Sequence, residues 1–249
     1  MRLHDGALEE LWNAAAAVGA PFRAAEIAGL PEPARRYLTH AIAEGTPSAS
    51  AVRLRMHGQI RLGAWHPFEA EQVIRWNRGF VWKARVKMRG LPVVGSDRWI
   101  DGQGAMRWKM LGIIPVWTAA GPDISRAALG RVQIESIWLP SMLLAPEVGW
   151  HVTDATHAVA TVSMRGHEAD IRVALDGGGR ATSVWMERWG NPDGGAFAFS
   201  PFGGIVDDEA TFGGYTIPSK LRIGWHFAGE RFEKDGESFH ATIDDATFR

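Results

Sequence analysis

The 249-residue chain contains no cysteine. That excludes disulfides, thiolate metal sites and a cysteine nucleophile, and it is compatible with a reducing compartment. Charge of one sign is also missing. Lys and Arg number 27 against 28 Asp and Glu, a formal net charge of −1, so no global field recruits nucleic acid or an anionic surface. No stretch reaches the roughly 18 apolar residues of a membrane-spanning helix. Near the N-terminus, Asp5, Glu9 and Glu10 stand where an export leader carries positive charge and then apolar residues. These absences lead to the expectation of a soluble, cytoplasmic protein.

Familiar chemical motifs are absent too. The histidines His57, His66, His151, His157, His167, His226 and His240 are scattered, without helical His-x-x-x-His spacing. The acidic clusters Asp207-Asp208-Glu209 and Asp244-Asp245 lack the alternating oxygen ligands of a calcium loop. Gly177 to Gly179 and Gly203-Gly204 are followed by no GK[ST], and no G-x-S-x-G elbow occurs. No metal and no cofactor is expected.

What the chain has in excess is tryptophan, with 12 residues spread along its length. Indole is the largest apolar side chain and keeps one N–H donor that needs a partner when buried. Most of these tryptophans sit in alternating, strand-like segments. A sheet face lined with indoles is either a thick core or the wall of a cavity for an apolar ligand.

The pattern begins with two helices. One carries Leu8, Leu11, Trp12, Ala15 and Ala16 at helical spacing, with Asp5 or Gly6 at its start; the other runs from about Pro31 to Ala43. From Ala51 the period becomes two. Val52, Leu54, Met56, Ile60 and Leu62 oppose Arg53, Arg55, His57, Gln59 and Arg61. Phe68, Ala70, Gln72, Ile74 and Trp76 form the next face, then Phe80, Trp82, Ala84, Val86 and Met88, and later Met106, Trp108 and Met110. The opposite face is basic in the first, third and fifth strands and acidic in the second, so its rows pair across strands. Aromatic and basic residues therefore alternate to opposite faces and form no joint groove for single-stranded nucleic acid.

A segment around Ile124 to Leu139 is apolar nearly all the way round, as a buried helix is, with Pro140 kinking or ending it. Strands then resume to the C-terminus, with 196–214 read as irregular. The expected fold is α+β: a long, curved antiparallel sheet, a half-open barrel of about nine to eleven strands, clasping a buried central helix over 123–144. Residues 1–46 form a helical N-terminal segment, and 1–249 a single domain.

Several of these segments resemble a bacterial domain-of-unknown-function family. The shared features are Leu-Pro-x-Pro-x-x-Arg-Tyr at Leu30 to Tyr37, Gly-Phe-x-Trp-x-Ala at Gly79 to Ala84, Glu-x-x-Trp-x-Pro at Glu135 to Pro140, and Gly-x-x-Ile-Pro at Gly214 to Pro218. The resemblance spans roughly residues 30 to 248 and implies no activity. The layout also looks like lipoprotein-carrier proteins, in which a curved sheet wraps a helical plug around a lipid cavity; that likeness concerns fold.

Two charged residues stand out against apolar surroundings. Glu135 lies three residues before Trp138, and a carboxyl desolvated beside an indole suits a general acid or base. Its plain alternative is an ion pair with Arg131 one turn earlier. Arg188 shares a strand face with Thr182, Val184 and Met186, whereas Trp185, Glu187 and Trp189 share the other. An inward Arg188 could hold a carboxylate or oxyanion, an inward Glu187 could act with Glu135, and either could reach solvent at the strand end.

The expected function is binding of an apolar or amphipathic small molecule between sheet and helix, with Trp82, Trp108, Trp138 and Trp185 as wall. One alternative is an enzyme (hydrolase, isomerase or lyase) in the same pocket, using Glu135 as acid/base and Arg188 to stabilise negative charge. Another is a structural or interaction protein with a filled core.

Overall fold

A computed structural model describes residues 6–15 and 19–249; Asp5 and Ala16, named above for the first helix, lie outside them. The first helix, α1, spans Gly6–Asn13, and α2 spans Glu32–Ala41 with Pro33 in its first turn, where a missing N–H costs nothing. Six strands follow: β1 (Ala51–Leu62), β2 (Ala64–Arg75), β3 (Gly79–Met88), β4 (Leu91–Ile100), β5 (Gln103–Met110) and β6 (Ile114–Ala120). Helix α3 (Pro122–Ile134) leads into single 3-10 turns at Glu135–Trp138 and Pro140–Leu144. Seven strands complete the chain: β7 (Val148–Asp154), β8 (His157–Met164), β9 (His167–Leu175), β10 (Ala181–Gly190), β11 (Ala198–Phe212), β12 (Tyr215–Trp225) and β13 (Glu237–Phe248).

All thirteen strands form one antiparallel sheet, ordered β6-β5-β4-β3-β2-β1-β13-β12-β11-β10-β9-β8-β7. The expected class holds, with more strands than expected. The additions have physical reasons. In β6 all residues but Ala119 are exposed, so no burial alternation marks it. In β11, Gly203-Gly204 interrupts the apolar pattern, yet the segment pairs with β10 and β12.

This order explains the site. The first and last strands meet at the centre, with Val52 opposite Phe248 and Ile60 opposite Phe239. The two edges, β6 and β7, are therefore joined by the segment 121–147, which must cross a face of the sheet. It crosses the apolar one: α3 packs against β3, β4, β5, β6, β9 and β10. The helix expected over 123–144 is regular only to Ile134, because Pro140 cannot continue an α-helix and the chain tightens before it. Glu135, Ser136, Ile137 and Trp138 are all buried. A wide apolar surface on these 3-10 turns completes the core with Leu139, Met142 and Leu143.

The other face is solvated and charge-complementary. Arg55 lies opposite Glu71, which lies opposite Lys83; His57, Glu69 and Arg85 form a parallel row. Helix α1 covers part of it, setting Leu8 and Leu11 on Val73 and Val81, and Phe227, backed by the buried Phe232, covers Trp185.

Gly79 holds a close approach between strands. Its φ is +133°, and a Cβ there would run into the carbonyl oxygen of Trp99. A Gly79→Ala variant is expected to lose on the order of 3 kcal/mol of stability, because strain and a backbone clash add. Urea unfolding of variant and parent checks this; a loss below about 1 kcal/mol would mean that β3 and β4 separate easily here.

Candidate functional site

Between the helical crossover and the sheet lies a cavity of about 330 Å³. Its walls come from both halves of the chain. Met56, Ile60 and Leu62 enter from β1, Trp82 from β3, Ile134, Ile137 and Trp138 from the crossover, Val184 from β10, and Phe202, Leu221, Ile223, Trp225 and Phe239 from the closing strands. Leu62 is 48% exposed, so the cavity reaches the surface beside the β1–β2 turn.

Against this apolar lining stand a few polar groups. Gln72, Asp97, Arg131, Glu135 and Arg188 all border the cavity. Four of them form a connected network. Arg131 Nε donates to Glu135 Oε1 at 2.6 Å, and Gln72 Nε2 donates to Glu135 Oε2 at 2.6 Å. Arg131 Nη1 reaches Asp97 Oδ2 at 3.4 Å, and Trp108 Nε1 donates to Asp97 Oδ1 at 2.9 Å. Arg131 and Asp97 keep only 17% and 16% of their side-chain surface, so water screens the pair weakly. Burial pushes the Asp97 carboxyl above its ordinary value, while Arg131 beside it and the Trp108 hydrogen bond pull the other way. The Arg131 guanidinium lies over Phe80 at 4.5 Å and Trp82 at 5.1 Å.

Arg188 is different. It projects inward from β10 with Val184 and Met186, while Glu187 is exposed on the opposite face. Its guanidinium stacks on Phe202 at 4.4 Å and Trp225 at 5.2 Å. Its one hydrogen bond among the described residues runs from Nε to the carbonyl of Ala127, 3.2 Å away, and it forms no ion pair there. Gly130 makes this path possible, since a Cβ at that position would stand 3.0 Å from Arg188 Cγ. Burial and the neighbouring Arg131 lower the Arg188 pKa to about 10, opposed by Glu135 and Asp97. The group is thus cationic at neutral pH and without a dedicated counterion. Two more polar atoms of the lining residues, Trp82 Nε1 and Gln72 Oε1, are buried with no protein partner among the described residues.

The residues singled out in the sequence are only partly brought together. Glu135, Arg188, Trp82 and Trp138 border one cavity, and Trp138 Nε1 is fixed by the carbonyl of Pro218 at 3.0 Å. The Glu135–Arg131 pair and the cavity position of Glu135 are both real. Trp108 stands behind the lining, 5.7 Å from Trp82, where it holds Asp97. Trp185 does not line the cavity: with Arg188 inward, alternation turns it to the other face, under Arg172 and beside Phe227. Asp97, Gln72 and Trp225 were missed as site residues. Their signals were present, since Gln72 falls on the apolar face of its strand and Asp97 shares a face with Val93 and Trp99.

Fold and site together define an open antiparallel half-barrel enclosing an amphipathic cavity. The chain belongs to the family of unknown function DUF6544, whose profile matches residues 20–234. No curated protein matches the sequence. Two solved structures are similar in layout. A LolA superfamily protein from Nitrosomonas europaea has a TM-score of 0.42 and 9% identity, over 87% of this chain and 92% of that one. A domain assigned to outer membrane lipoprotein sorting in Vibrio parahaemolyticus has a TM-score of 0.39 and 9% identity, over 80% and 86%. The expected cytoplasmic location is not upheld: the second neighbour's name refers to outer membrane lipoprotein sorting, which for that protein points away from the cytoplasm. Among the described residues no helix is long and apolar enough to cross a membrane.

Proposed function

We propose that this protein binds an amphipathic small molecule with an apolar tail and one anionic group. The observation that carries this reading is Arg188, a cation that forms no ion pair among the described residues, on the wall of an otherwise largely apolar cavity. Leaving such a charge inside the protein is costly unless something pairs with it. A ligand carboxylate can accept two hydrogen bonds from its planar fork, while the tail lies against Trp82, Trp138, Leu221 and Ile223. The volume is at the low end of the roughly 300–1,000 Å³ usual for small-molecule sites, which favours a single-chain ligand. Against the enzymatic alternative stands Glu135, both of whose oxygens already accept hydrogen bonds.

Titration with dodecanoate and palmitate, read by intrinsic tryptophan fluorescence, tests the proposal, since Trp82, Trp138 and Trp225 border the cavity. Saturable binding is expected in the parent. Ile223→Trp, which builds an indole into the open space, is expected to weaken it at least tenfold, equivalent to about 1.4 kcal/mol. Absence of saturation with either acid would overturn the reading, as would unchanged binding in the filled variant.

A further inference from the structure

A separate feature surrounds the cavity mouth. Alternate turns of an antiparallel meander fall at one end of the sheet. Here these are the β1–β2, β3–β4 and β5–β6 turns, the last two linked by the Leu111 N–H donating to the carbonyl of Pro92 at 2.8 Å. Segments 59–67, 86–93 and 109–117 make up this rim. They contain eight of the ten exposed large apolar side chains among the described residues. Ile113 is the most exposed at 73%, followed by Trp117 at 61%. The same segments carry Arg61, Lys87, Arg89 and Lys109, and no Asp or Glu. Lys87, Arg89 and Lys109 form no ion pair among the described residues, while Arg61 donates to the carbonyls of Asp235 and Glu237. Acidic residues Asp193, Glu230, Glu233 and Asp235 fall outside these segments, in the connections after β10 and β12, with the Asp235 backbone adjoining Arg61.

We infer that this rim is a docking surface for an anionic lipid bilayer. Exposed leucine, isoleucine and tryptophan beside unpaired lysine and arginine is the composition of an interfacial membrane contact, where apolar tips enter the headgroup boundary and basic groups meet anionic lipids. The chemistry is local, and the near-zero net charge of the chain does not oppose it. Continuity with the cavity supports the assignment: Ile60, Arg61 and Leu62 belong to both rim and cavity lining, so a docked molecule presents its opening to the bilayer. A second copy of the chain fits less well. An isologous contact through this patch sets the same basic residues against themselves, and the apolar side chains span three turns, not only the edge strand β6.

The test is co-sedimentation with vesicles of phosphatidylcholine alone and of an equimolar mixture with phosphatidylglycerol. The parent is expected to pellet with the mixed vesicles, to be released by added salt, and to stay in solution with phosphatidylcholine alone. I113S/W117S and K87Q/R89Q, all at exposed positions, are each expected to reduce partitioning by about tenfold or more. R188M is expected to pellet as the parent does, which separates this surface from the cavity. Absence of pelleting in the parent, or pelleting unchanged in both rim variants, would overturn the inference. So would loss of pelleting in R188M, which would assign the lipid contact to the cavity. A parent dimer in lipid-free solution that I113S/W117S dissociates would give the rim to a second copy and equally refute it.

Discussion

Replacing Arg188 by methionine is expected to weaken binding of dodecanoate or palmitate about a hundredfold, while dodecanol binds as well or better. A hydrogen-bonded charge pair in a shielded site contributes on the order of 1.5–3 kcal/mol, and about 2.8 kcal/mol is a hundredfold in Kd. Methionine keeps much of the apolar stem that runs past Gly130 but loses the guanidinium stacked on Phe202 and Trp225, so the comparison of acid with alcohol isolates the charge. The unliganded variant is expected to be at least as stable as the parent. Arg188 has a lowered pKa and no ion pair among the described residues, and removing a desolvated charge relieves a cost. Arg188→Lys is expected to fall between the two, since an ammonium keeps the charge but loses the stacked planar fork. Calorimetric titration with the acid and the alcohol, alongside urea unfolding, checks each part. Equal affinity of the parent for acid and alcohol would show that Arg188 does not read the head of the ligand.

Much of this site could be read from local pattern, and the reason lies in the period of two. Once one face of β10 is inward, Val184, Met186 and Arg188 go together, and Trp185 with Glu187 must point away. The inward face of β10 is decided by α3, whose Gly130 leaves room for the Arg188 stem. That contact joins residues far apart in the chain, so Trp185 could be named as wall with equal local justification. Asp97 and Gln72 pose the same difficulty. Each sits on a recognisable strand face, but their meeting with Arg131 and Glu135 depends on how β2, β4 and the crossover converge. The strand β6 was hidden for another reason: its side chains are exposed on both sides, and burial produces the alternation that marks a strand. The charged rows of the outer face were legible, because opposite charges on neighbouring strands need only adjacent pairing to be placed.

Arg131 carries the largest expected effect on stability. It hydrogen-bonds both Asp97 and Glu135, and an Arg131→Met variant leaves two buried carboxyl groups without it. Removing one partner of a buried ion pair typically costs about 3–5 kcal/mol, and the lost stacking over Phe80 and Trp82 adds to it. The effect has a predictable pH dependence. The Asp97 carboxyl is raised by burial in the parent, and Arg131 is the largest influence opposing that rise. Without the arginine it moves higher still. A group whose folded pKa exceeds its unfolded value adds stability below the unfolded pKa and loses it as pH rises through the folded value. The deficit of Arg131→Met is therefore expected to be largest at neutral and alkaline pH and to shrink on acidification, as Asp97 takes up a proton and no longer needs a counterion. In Arg131→Met/Asp97→Asn the part due to Asp97 is removed at every pH, leaving a flatter deficit that reports Glu135 and the lost packing. Urea unfolding of the three proteins across the acidic to neutral range measures this. A deficit independent of pH in the single variant would mean that Arg131 acts through packing alone, and that Asp97 finds its partner elsewhere, with Arg188 the nearest cation on the cavity wall.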